Sequence, residues 1–323
     1  MRSAKILNVF WHSVDGDCSS VNRVNPTTVL FREHIKFLAA NFTLISLLEF
    51  FRMRQDKRYN HSYHKPPLLL GFDDGFRNVI RYALPILEEF EAPAVFFVIG
   101  EILKNPDFVP WYVEMTHMMR RTVKKVIVYR NTNINPAVPE QAMKLRQLFL
   151  ASFRTCGSES ERQMLLTSFA DALGVSRPVA QDLDEDLKFV DEKDLNSLPS
   201  SSLLTIASHA MTHRDLANLS YEEQLDELQH SDSLLRKHCR SYYPVLAYPN
   251  GSFNAHTVSI ATKIYRAGFA SFLGASYRNL YAYPRICIGN DSVEELAYTV
   301  SSKRLKYILP VKRFLHVTGI RPV

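Results

Sequence analysis

Short apolar runs recur along the chain, each closed by turn residues and followed by a stretch with helical periodicity, and this alternation constrains the fold more than any other feature. The runs cover residues 6–10, 68–72, 94–99, 203–207, 245–248 and 269–273. Continuous apolarity implies burial on both faces, as in parallel strands joined by helices. A chain of 323 residues is long for one domain, yet barrels of alternating strands and helices use that length as a single unit. In such folds the reacting groups gather where strands end.

One helix announces its start. Ser220-Tyr221-Glu222-Glu223 is a capping box, and Leu225, Leu228, Leu235 and Cys239 then fall on one face. Its expected role is to pack on the sheet and hold the loop before it. Between about 101 and 200 the alternation fades into charged, helix-favouring sequence at 143–150, 161–173 and 182–194. This reads as a helical insertion after the third strand, a solvated cap with no catalytic constellation of its own.

The run 68–72 stops abruptly at Asp73-Asp74-Gly75. Consecutive side chains at a strand end point in different directions, so one carboxylate can bind a cation while its neighbour faces the water that the cation activates. A second run ends in Ser208-His209-Ala210-Met211-Thr212-His213, two histidines spaced so that both imidazoles can reach one ion. Two imidazoles and a carboxylate suit catalytic zinc and also an iron(II) oxygenase. The spare carboxylate of Asp73 favours a hydrolase, which needs a base for the attacking water. A third run ends in Tyr248-Pro249-Asn250-Gly251, a tight turn able to offer a backbone N–H to a developing oxyanion.

In this order, Phe72-Asp73-Asp74-Gly75, Ser208-His209 through His213, and Tyr248-Pro249-Asn250-Gly251 resemble the polysaccharide deacetylase family, carbohydrate esterase family 4, known also for chitooligosaccharide deacetylases. Ala83-Leu84-Pro85-Ile86-Leu87, Pro93-Ala94-Val95-Phe96-Phe97 and Gly268-Phe269 extend the likeness. The resemblance implies a distorted (β/α) barrel of about seven strands and removal of an acetyl group from an amide. It makes Asp73 the base and Asp74, His209 and His213 the holders of one divalent ion, zinc first, cobalt or nickel also accommodated. Tyr248, Pro249 and Asn250 then face substrate, with the backbone near Asn250 stabilising the oxyanion.

Two departures modify this reading. Asn250 stands where many members have an aromatic residue, and the nearest counterpart of a C-terminal Leu-x-His acid is His316, in a basic tail. Val9-Phe10-Trp11-His12-Ser13-Val14 instead looks like the Tyr-His-x-Val opening of the branch containing poly-N-acetylglucosamine deacetylases, with Trp11 replacing the tyrosine. His12 is then the general acid. Arg285, in Tyr283-Pro284-Arg285-Ile286, matches the same branch as a substrate-side residue able to pair with Asp73.

Composition sets the remaining expectations. Hydrophobic residues make up 46% and charged residues 22%, ordinary for a chain that buries a large core. The net charge of +6 comes mostly from scattered cations, with one cluster at Arg120-Arg121 and Lys124-Lys125. That suits an anionic membrane or acidic glycan better than nucleic acid. No secretion signal or spanning run is apparent, and Cys18, Cys156, Cys239 and Cys287 show no metal-site spacing, so a cytoplasmic protein is expected. The expected partner is an N-acetylated saccharide; the competing readings are a hydrolase of a cyclic imide or other small amide, and a glycan-binding protein without turnover. Oligomeric state is not legible.

Overall fold

The computed structural model describes residues 5–16, 25–55, 64–199, 203–271 and 275–301. Cys18 and His316 lie outside them. The described residues fall into two compact units, one made of 5–106 with 189–301 and the other of 107–188.

Eleven strands occur in chain order among the described residues: β1 (Leu7–Trp11), β2 (Thr43–Ile45), β3 (Pro67–Phe72), β4 (Ala94–Val98), β5 (Ile127–Tyr129), β6 (Thr132–Ile134), β7 (Leu204–Ser208), β8 (Tyr242–Ala247), β9 (Gly268–Ala270), β10 (Tyr283–Pro284) and β11 (Ile286–Cys287). Nine of them form the sheet of the first unit, in the order β10-β9-β8-β7-β4-β3-β1-β11, with β2 added beside β3. Every pairing in this sheet is parallel. All six apolar runs of the sequence become strands, because each can bury both faces.

The last stretch closes the ring. Tyr283 and Pro284 pair with Phe269 and Ala270 on one side, while Ile286 and Cys287 pair with Val9 and Phe10 on the other. One stretch interrupted only at Arg285 therefore joins the two ends of the sheet into a (β/α) barrel. Counting that stretch once, β1, β3, β4, β7, β8 and β9 complete seven positions around the ring. Same-side residues of successive strands, among them Leu69, Phe97, Ala207, Val245, Phe269 and Tyr283, form one buried cluster. Full burial of such side chains contributes roughly 1.5–3 kcal/mol each.

The second unit is built on the helices Trp111–Arg121, Pro139–Thr155 and Glu159–Leu173 with the antiparallel hairpin β5–β6. Leu145, Phe149, Phe169 and Tyr129 anchor a core of its own. Helices cover 143–150 and 161–173 as expected, but 182–194 holds only short turns and the start of a six-residue helix. The hairpin was not legible, since three-residue strands carry too little alternation to register.

The Tyr221–His238 helix begins as its sequence indicates. Ser220 Oγ accepts from the Glu223 N–H at 3.2 Å, and Glu223 Oε2 accepts from the Ser220 N–H at 2.9 Å. Leu228, Leu235 and Cys239 are buried. Replacing Ser220 with Ala leaves two helix-start donors to water, and should lower stability by about 1 kcal/mol. Urea denaturation of the two proteins measures the difference.

Candidate active site

Chain direction at the tip of β3 sets the first part of the site. Asp73 continues the ladder, its N–H donating to the Trp11 carbonyl at 2.9 Å, and the chain then turns through Asp74 at φ 75° and Gly75 at φ 95°. A left-handed non-glycine residue costs roughly 1–3 kcal/mol. Here it sends the two adjacent carboxylates to different partners. Gly75 is required twice over, by its φ and because a Cβ there would stand 2.8 Å from Ile102 Cδ1.

The tip of β7 repeats the device. Ala210 at φ 59° and His213 at φ 62° fold the 209–213 segment back on itself. Glu227, buried on the Tyr221–His238 helix, holds it: one carboxylate oxygen accepts from the N–H groups of Met211 and Thr212 at 3.0 and 2.9 Å, and the other from the Thr212 hydroxyl. The expected loop-holding role of this helix thus rests on a residue the sequence reading passed over. Its signal was a carboxylate one position before Leu228 on the buried face.

These turns bring Asp74, His209 and His213 together in a buried cluster whose donor atoms all lie within 4.8 Å of one another. Asp74 Oδ1 stands 3.3 Å from His209 Nε2 and 3.4 Å from His213 Nε2. His209 Nδ1 faces the Ala247 carbonyl at 2.8 Å, a group that only accepts, so Nδ1 carries the proton and Nε2 presents a lone pair. Asp74 Oδ1 is buried and accepts no hydrogen bond. Lone pairs crowded this closely in a dry site call for a cation, and ligand bonds of about 2.0–2.1 Å give a tetrahedral edge of about 3.3–3.4 Å. The donor set therefore fits a divalent ion. Burial alone would raise the Asp74 carboxyl, but His209 and His213 beside it, and charge at His12, hold it well below the usual carboxylate range.

Asp73 takes the other direction. Arg285, in the gap between β10 and β11, donates from both terminal nitrogens to the two Asp73 oxygens, each at 2.6 Å. Both side chains are buried, and the guanidinium stacks over the Phe10 ring at 3.9 Å from its centroid. Arg285 is thus spent on Asp73 rather than open to a saccharide. Asp73 Oδ2 still reaches to 3.8 Å from His209 Nε2, and keeps a second lone pair on that side.

His12 follows directly on β1, half-buried, with Nδ1 3.9 Å from Cys287 Sγ. Burial opposes charge on this imidazole, but Cys287 and the carboxylates of Asp74 and Asp73 outweigh it, and its pKa is raised to about 9. The third tip behaves otherwise. Tyr248 and Pro249 are buried, the Tyr248 hydroxyl donates to the Tyr281 carbonyl at 2.7 Å, and its ring stacks on Phe253. They build the turn and leave no face for substrate. Asn250 is exposed at φ 55°, its side chain donating to Asp215 at 2.9 Å. The tip joins the site through Ala247, whose carbonyl orients His209.

A family model described as polysaccharide deacetylase matches residues 60–131 and 180–267. The chain belongs to the polysaccharide deacetylase family. The matched segments contain Asp73, Asp74, His209, His213 and the Tyr248–Gly251 turn, whereas His12 and Arg285 lie outside them. Among solved structures, the Streptococcus pyogenes deacetylase PplD in complex with acetate aligns with 93% of this chain and 100% of its own, at 18% identity and a TM-score of 0.56. A de-N-acetylase from Aggregatibacter actinomycetemcomitans aligns with 89% of this chain and 96% of its own, at 14% identity and a TM-score of 0.51. The BpsB deacetylase domain from Bordetella bronchiseptica covers 89% and 97%, at 17% identity and a TM-score of 0.50. At these identities the likeness is one of fold. No curated protein matches the sequence.

Since Cys287 is among the groups that raise the His12 pKa, removing its sulfur should lower it. In the metal-free protein, NMR titration of the His12 ring should give a midpoint near pH 9. Cys287→Ala should move that midpoint downward, and an unmoved midpoint would remove the sulfur as a cause.

Proposed function

We propose that this protein is a metal-dependent hydrolase that removes an N-acetyl group from a saccharide, either a carrier-linked intermediate or a cell-surface polysaccharide precursor. The observation that carries this reading is the separation of two adjacent carboxylates: Asp74 faces His209 and His213, and Asp73 faces Arg285. Asp74, His209 and His213 would hold the ion, zinc being the best match for two imidazoles and a carboxylate, with cobalt and nickel as substitutes. When bound, such an ion supplies a Lewis acid and lowers the pKa of water toward neutrality.

The chain's own groups then divide the proton transfers. Asp73 Oδ2 takes a proton from the water that adds to the acetyl carbonyl, and Arg285 keeps that carboxylate from rotating. His12 gives a proton to the amide nitrogen as the C–N bond breaks, releasing acetate and a free amine. A raised pKa suits that task, because the ring still holds its proton at neutral pH. The backbone N–H at the Asn250 turn is assigned to the developing oxyanion. A protein that only bound glycan would have no use for a second carboxylate locked in place beside the first.

The test is acetate release from N-acetylated oligosaccharides and nucleotide sugars by the zinc-loaded protein. Asp73→Asn should bind zinc as the parent does and release acetate at least about a hundredfold more slowly. Full activity in that variant would remove Asp73 as the base.

A further inference from the structure

We infer that the 107–188 unit carries a docking surface for anionic membranes, formed by residues 120–131. Val123 is 93% exposed, Val128 66% and Val126 61%. Single exposed valines are ordinary, but three within six residues form a patch. The hairpin enforces the exposure: Ile127 and Tyr129 are buried in the core of this unit, so the alternation of β5 turns Val128 outward.

Charge identifies the occupant. From Arg120 to Pro139 the sequence holds five cations and no carboxylate. Arg120 and Arg121 are paired with Asp184 and Asp186, and Lys124 donates to the carbonyls of Asp171 and Ala172. Lys125 and Arg130 are exposed and form no ion pair among the described residues. Arg130 and Asn131 make the hairpin turn at φ 49° and 57°, a conformation in which glycine or asparagine is favoured over arginine. The arginine is thus presented at the tip at a conformational cost.

Projecting apolar side chains flanked by free cations match the boundary between anionic headgroups and acyl chains, valines inward and ammonium or guanidinium groups on phosphate. A second copy of the chain fits worse, because pairing β5 with β5 would set two cationic edges against each other. No helix of the described residues is long and apolar enough to cross a bilayer, so this contact is peripheral. The inference stands apart from the catalytic reading, since none of these residues belongs to the active site.

The test is sedimentation of the full chain with vesicles of equal parts phosphatidylglycerol and phosphatidylcholine, and with phosphatidylcholine alone. The protein should pellet with the anionic vesicles only, and salt should weaken the binding. K125E/R130E should bind at least about tenfold more weakly, and V126S/V128S should also lose binding, each keeping the parent's circular dichroism. Four outcomes would overturn the inference: parent protein that stays in the supernatant, equal pelleting with neutral vesicles, variants that pellet like the parent, or a parent dimer that V126S/V128S converts to monomer.

Discussion

The buried ion pair between Arg285 and Asp73 is the contact on which the site depends. Arg285 occupies the single break in the stretch that closes the barrel, so the residue that fixes Asp73 is itself fixed by strand pairing on both sides. Removing one partner of such a pair leaves a buried charge uncompensated, at a cost on the order of 3–5 kcal/mol. Ring closure and the orientation of the first carboxylate are one arrangement. With Asp73 engaged, the second carboxylate alone is turned toward the imidazoles.

That arrangement holds local strain, and the surrounding contacts oppose it. Asp74, Ala210, His213 and Asn250 all adopt left-handed backbone conformations at strand tips. Unsupported, each would relax. Asp73 remains in the ladder through Trp11, Glu227 clamps the 211–212 backbone, and the Ala210 and Met211 carbonyls accept from the N–H groups of Gly100 and Glu101. The folding free energy of the barrel thus holds the donor atoms of Asp74, His209 and His213 at short mutual distances before any cation arrives.

Much of this was legible in the residues. Apolar runs bounded by turns marked six strands, and Asp-Asp-Gly with a His-x3-His marked two tips of the site, because chemistry of this kind requires particular side chains at particular spacings. What escaped was short or non-local. The closing stretch carries only two residues of strand on either side of Arg285, too few for any period, and β5–β6 is equally brief. Glu227 reads as one more charge on an amphipathic helix until tertiary structure brings it under the 209–213 segment. Tyr248 and Pro249 illustrate the opposite error: a strand tip in a chemical motif reads as a substrate contact, yet both side chains are buried in the framework of the turn.

The most direct test of the account is Arg285→Lys, which keeps the positive charge but cannot grip both Asp73 oxygens at once. Zinc affinity by calorimetry and acetate release should be measured on the same preparation. The account predicts that the variant binds zinc as tightly as the parent while its kcat falls about a hundredfold, because Asp73 is no longer held in register. Unchanged release, or loss of zinc together with activity, would contradict it.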